Sequence, residues 1–186
     1  MNPIDVLAQS QDVARSVLAN VSRDQLEADT PCSEWTVAQL IDHLVGAQYW
    51  AQGGVQGAPL DATGEGAAQG DFVATFDQAA RDSLAAFSEE GAMGRTVNPG
   101  FGDMPAPALL GLSATNTFTH AWDLAKATGQ DTDLAPGLAA ALLEQSRQAI
   151  QPAFRSEEGT IFGMEQTAPD GAPPADQLAA FLGRTV

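Results

Sequence analysis

The chain has 186 residues, with 24 Asp and Glu against eight Lys and Arg, a net charge of −16 and a pI near 4.1. Phosphate recognition needs clustered cations, so seven arginines and one lysine scattered along the chain exclude nucleic acid and an anionic membrane surface as partners. An apolar share of 44% at this length supplies a real core and fits a single domain over residues 1–186.

Helical periodicity runs through most of the sequence. Asn2-Pro3 provides a cap and a proline at the first helical position, and Ile4, Val6, Leu7, Val13, Val17 and Leu18 give this helix its apolar residues. Ser22–Asp29 reads as a turn and Thr30-Pro31 as a break. A second helix is predicted from about Thr36 to Ala51, because Val37, Leu40, Ile41, Leu44 and Val45 share one face. Residues 52–70 are rich in Gly and small side chains without a period, which predicts a long, mobile surface loop. Asp71 caps a third helix, in which Phe72, Phe76, Ala79, Ala80, Leu84 and Phe87 recur at helical spacing.

Gly91–Pro107 predicts an irregular connection or a short hairpin. A fourth helix follows from about Pro107 to Thr128, stopped by Gly129, and Pro136 opens a fifth that reaches about Ile150. A loop-rich tail over about 152–174 precedes a short last helix, Ala175–Leu182. Glu89-Glu90 and Glu157-Glu158 read as solvated charges. The fold class is all-α: a four-helix bundle with long loops and short additional helices.

One cysteine, Cys32, excludes an internal disulfide and fits a reducing compartment. The N-terminus lacks the basic start and apolar run of a signal peptide, and no stretch approaches the roughly 18 apolar residues of a membrane span. A cytoplasmic location is expected.

Chemistry concentrates on the fourth helix. At about 100° per residue, Ser113, Asn116, His120, Leu124 and Ala127 fall on the stripe centred on Leu109. Asn116 and His120 are therefore i and i+4 neighbours on a core-facing stripe, the spacing at which two helical side chains share one metal ion. His43, the other histidine of the chain, sits on the flank of the second helix and can point into a cleft between helices. Imidazole suits zinc and similar ions, yet two satisfied polar residues on separate helices would show the same pattern. Cys32 has no basic sequence neighbour to lower its pKa and reads as a small buried residue near a helix start. Trp35, Trp50 and Trp122 read as core or loop anchors.

Two longer motifs carry a resemblance. Thr30-Pro31-Cys32-Ser33-Glu34-Trp35-Thr36-Val37, continuing through Leu40 to His43-Leu44-Val45-Gly46, is one. His120-Ala121-Trp122-Asp123-Leu124-Ala125-Lys126-Ala127-Thr128-Gly129 is the other, supported by the ending Phe181-Leu182-Gly183-Arg184. The chain resembles an actinobacterial family of metal-binding proteins related to the metal-binding domain of mycothiol-dependent maleylpyruvate isomerase, within the DinB-like superfamily. That resemblance implies a DinB-like four-helix bundle and a divalent metal, zinc or nickel, held by His43, Asn116 and His120. The family usually has Asp or Glu where this chain has Asn116, which removes a charge from the site; Asp123, one turn on, is placed to compensate or to orient His120.

The activity implied is transfer of a small-molecule thiol such as mycothiol to an electrophile. Maleylpyruvate isomerisation itself is not implied, because the 186 residues are expected to form the bundle without the additional C-terminal domain of that relative. Two alternatives belong to other classes: a non-catalytic small-molecule binding protein, and a bundle with a vestigial, metal-free site. By analogy with other bundles, a homodimer through an exposed helical face is expected.

Overall fold

The helix boundaries follow from local chemistry at their ends. The computed structural model describes residues 2–58, 61–156 and 162–186, and places six α-helices: α1 Pro3–Leu18, α2 Val37–Gln56, α3 Phe72–Ser88, α4 Ala106–Ala127, α5 Pro136–Ala149 and α6 Pro174–Phe181. The Asn2 side chain accepts from the Ile4 amide, the Asp71 carboxylate accepts from the Ala74 amide, and Thr36 and Gln39 cap each other's backbone reciprocally. Glu157 and Glu158 lie outside the described residues.

Helix α2 departs from expectation by continuing past Ala51 to Gln56, where Gly57 closes it in the left-handed conformation at φ 74°. Two glycines in a helix each cost about 1 kcal/mol in an isolated peptide. Here Gly53, Gly54 and Val55 are all buried, and Gly54 packs directly beneath the Leu109 side chain of α4. Close helix approach outweighs the propensity that marked residue 52 as a loop start.

Helix α1 packs against α3 and α4, and α2 packs against the same two, so α1 and α2 stand at opposite corners of the bundle. The ends of α1 and α4 lie side by side, where Gln130 Nε2 donates to the Val17 carbonyl at 3.1 Å. The ends of α2 and α3 meet at the other pole, where Gln56 Nε2 donates to Glu89 at 3.3 Å. Helices α1 and α4 therefore run one way, and α2 and α3 the other. The connection from α2 to α3 must accordingly travel back along the bundle.

The described residues of that connection, within the stretch 52–70 expected as a mobile surface loop, are strapped to α2. The Asp42 carboxylate accepts from the Gly66 amide at 2.9 Å and from the Ala68 amide at 2.8 Å. Gly64, at φ 79°, and Gly46 pass so closely that a Cβ on either would overlap a carbonyl of the other strand of chain. Pro59 and Leu60, within this stretch, lie outside the described residues.

Two apolar clusters fill the bundle, one around Leu109, Phe118, Trp122 and Phe87, the other around Leu40, Leu44, Phe76 and Leu124. Between them runs a buried polar layer. Gln11 Nε2 donates to Gln48 Oε1 at 2.9 Å and to the Ala80 carbonyl at 3.1 Å, while Gln48 Nε2 donates to Thr117 Oγ1 at 2.9 Å. One network thus ties all four bundle helices, and its members are satisfied as burial requires.

A short antiparallel pair, β1 Thr96–Val97 and β2 Met104–Pro105, turns the chain from α3 into α4, as the hairpin reading expects. Helices α5 and α6 pack on each other, and α6 meets α4 where the buried Trp122 donates to Asp176 at 2.8 Å. The architecture is all-α, with the short additional helices at its C-terminal side. Among the described residues, no helix is long and apolar enough to cross a membrane.

Candidate metal centre

The functional residues converge in the half of the bundle where α2 begins and α4 ends. The turn before α2 is held by one hydroxyl: Thr30 Oγ1 accepts from the Cys32 amide at 3.1 Å and donates to the Trp35 carbonyl at 2.9 Å. This lays Cys32 and Trp35 against the facing helices. Helix α2 contributes His43, α4 contributes Asn116, His120 and Asp123, and the tail beyond α6 contributes Arg184.

The two histidines meet edge to face, with ring centroids 4.5 Å apart at 76°. Trp35 lies against both, at 4.5 Å from His43 and 5.6 Å from His120. It is a wall of the site, whereas Trp122 is a core residue and Trp50 anchors the hairpin loop through the Pro99 carbonyl. His43 Nε2 and Asn116 Oδ1 are both buried, and neither has a hydrogen-bond partner among the described residues. Burial, reinforced by the neighbouring His120, pushes the His43 imidazole down to about 3, while the adjacent Asn116 amide and Asp123 carboxylate work the other way. His43 is therefore neutral at any ordinary pH and keeps a free lone pair. Its outer edge borders a shallow pocket of about 250 Å³ lined by Gln39, Asp42, Thr63 and Glu65.

Asp123 is the hub of the inner half. Its side chain has no exposure, and His120 Nδ1 stands 2.9 Å from Oδ2. Arg184 grips both oxygens, with Nε donating to Oδ1 at 3.1 Å and Nη2 to Oδ2 at 2.9 Å. Burial alone would raise this carboxyl, but the hydrogen bonds from His120 and Arg184, with the guanidinium charge, hold it well below the usual carboxylate range. Cys32 Sγ donates to Asp123 Oδ2 at 3.2 Å and lies 3.7 Å from Arg184 Nη2. Burial and the Asp123 charge push the Cys32 thiol up to about 12, against the opposing pull of Arg184.

All three residues assigned from the resemblance, His43, Asn116 and His120, come together here, and Asp123 stands behind His120. Cys32, His120 and Asp123 also form a candidate metal-binding cluster, since one ligand atom from each lies within 4.8 Å of the others. Cys32 is thus partly buried and part of a polar network, which revises its reading as a small buried residue near a helix start. Arg184 was missed altogether as a site residue. Only its place in the Phe181-Leu182-Gly183-Arg184 ending marked it, and no local pattern ties that ending to α4.

Residues 7–125 match the family described as the mycothiol maleylpyruvate isomerase N-terminal domain. Two uncharacterised proteins of Mycobacterium tuberculosis, one from strain CDC 1551 / Oshkosh and one from strain ATCC 25618 / H37Rv, are each 42% identical over 190 residues, covering all of this chain and all of theirs. No solved structure matches the chain significantly. With its all-α, DinB-like bundle and its two histidines brought into edge-to-face contact, the chain belongs to the mycothiol maleylpyruvate isomerase N-terminal domain family.

Proposed function

We propose that the protein holds a divalent cation, zinc or nickel, between His43 and His120, with the Asn116 amide oxygen as a neutral third donor, and uses it in the cytoplasm to transfer a small-molecule thiol to an electrophile. The observation that carries this reading is the pair of buried polar atoms, His43 Nε2 and Asn116 Oδ1, that have no well-formed hydrogen-bond partner among the described residues, beside a histidine whose other nitrogen already faces Asp123. Buried polar atoms without partners cost about 1–3 kcal/mol each, and a shared cation would satisfy both. Two imidazoles suit zinc or nickel, the neutral amide oxygen is a weaker third ligand than a carboxylate, and coordination positions stay open.

The chain's own residues do the preparatory work. Burial keeps His43 deprotonated, and Asp123, acceptor-only while ionised, accepts a hydrogen bond from the Nδ1–H of His120 so that Nε2 is free to ligate. Trp35 shields the ring pair from solvent on one side. Cys32, held as a thiol by Asp123, does not compete as a nucleophile. A bound divalent ion supplies the positive charge that stabilises a thiolate at neutral pH. Mycothiol as the thiol rests on family membership.

A second reading takes Cys32, His120 and Asp123 themselves as the ligands, favoured by their mutual distance. Against it, both Asp123 oxygens are already committed to Arg184, whose charge repels a cation on that side. Elemental analysis of untagged protein separates the two. Metal lost in His43→Ala and kept in Cys32→Ser supports the His43 site, and the reverse outcome assigns the metal to the cysteine cluster. Wild-type protein that is metal-free and indifferent to added zinc or nickel overturns both. With metal established, thiol consumption in the presence of an electrophile distinguishes a transferase from a binding protein.

A further inference from the structure

The tail beyond α6 reaches into the site, and that contact assigns a role to a residue outside the family match over 7–125. Gly183 adopts φ 96° and packs on the Gly163 backbone, which turns the chain so that Arg184 points inward. The Arg184 backbone amide donates to the Ala179 carbonyl at 3.0 Å, and Nη1 donates to the Leu182 carbonyl at 3.1 Å. The guanidinium is thus held in place from its own side. Its remaining donors meet Asp123 in a two-pronged arrangement that a flexible ammonium cannot copy.

We propose that Arg184 is a positioning residue: its clamp fixes the plane of the buried Asp123 carboxylate so that Oδ2 faces His120 Nδ1, and the C-terminal tail thereby selects the His120 tautomer whose Nε2 is free. The physical case is geometric. Asp123 Oδ2 accepts from Cys32 and Arg184 and stands 2.9 Å from His120 Nδ1, and a carboxylate free to rotate would not hold all three contacts. Pinning both oxygens with one rigid fork leaves the carboxylate a single orientation. His120 must then present its N–H at Nδ1, because the group facing it can only accept. The consequence for metal binding rests on the His43–Asn116–His120 reading, whereas the tautomer does not.

The test therefore uses two readouts on full-length protein. The first is the ring-nitrogen NMR signature of His120 in metal-free wild type, Arg184→Gln and Arg184→Lys. The expected result is a dominant Nδ1–H tautomer in the wild type, a mixed population in Arg184→Gln, and a partial return in Arg184→Lys. The second is the dissociation constant for zinc, expected to rise about tenfold or more in Arg184→Gln, the scale typical of residues that orient metal ligands. Should Arg184→Gln fail to fold, Arg184→Lys carries the same comparison. An unchanged His120 tautomer in a folded variant overturns the proposal. Absence of zinc binding in the wild type would instead overturn the metal reading and leave the tautomer result standing.

Discussion

Cys32 donates its thiol hydrogen to Asp123 at 3.2 Å, although 91 residues separate them. The contact links the turn before α2 to the last third of α4 and makes the thiol weakly acidic. In metal-free protein, Cys32 alkylation at pH 8 is expected to be at least about tenfold slower than that of free cysteine. Asp123→Asn removes the charge that raises the thiol and leaves Arg184 in place, so alkylation should accelerate. Equal rates in the wild type and the variant would refute the assigned cause. The sign for stability follows from the same shift. The folded thiol ionises near 12 against 9.0 for an unperturbed one, so stability present below pH 9 is lost progressively as pH rises toward 12.

His43 works at the opposite end of the pH scale. Its folded value of about 3 lies below the ordinary 6.5, so the unfolded chain binds a proton that the folded chain refuses. Stability from this residue is complete above pH 6.5 and falls as pH drops toward 3. The slope for one proton is at most about 1.4 kcal/mol per pH unit. Urea denaturation between about pH 7 and pH 4 should show a shallower acid slope in His43→Gln than in the wild type. Parallel slopes would mean that His43 is accessible to protons in the fold.

Asn116 is where this chain departs from the pattern of the family it resembles. Asn116→Asp places a negative charge beside the two imidazoles and should tighten zinc binding about tenfold, or roughly 1.4 kcal/mol. Titration calorimetry on metal-free protein measures it. Affinity unchanged or weakened in a folded variant would put Asn116 outside the coordination.

The strap along α2 makes a structural prediction. A methyl group at Gly46 would overlap the Thr63 carbonyl oxygen, and the backbone on both sides leaves little room to yield. Gly46→Ala should destabilise the protein by about 1–3 kcal/mol in chemical denaturation. It should also speed hydrogen exchange at the Gly66 and Ala68 amides that Asp42 holds. Retained protection at both amides would show that the strap does not depend on this approach.

The helical faces were legible because they are set by residues within one or two turns of each other. Asn116 and His120 fall on one stripe by arithmetic alone, and the caps at Asn2 and Asp71 declare themselves in three or four residues. The extension of α2 was not legible, because Gly53 and Gly54 read as breakers until Leu109 of another helix covers Gly54. The same holds for the loop after α2, whose glycines signal freedom locally and close approach in the fold.

By itself, then, the sequence determined six helices, a bundle, and two histidines poised on the second and fourth of them. What those histidines face was decided by tertiary structure. Ring order and helix direction in the bundle bring His43 to His120, and a tail turned by Gly183 delivers Arg184 to Asp123. Periodicity encodes which face of a helix is buried but says nothing of its neighbour, since any apolar stripe accepts another. The partners of a buried charge depend on contacts more than 60 residues apart, as between Asp123 and Arg184, and no local pattern records them.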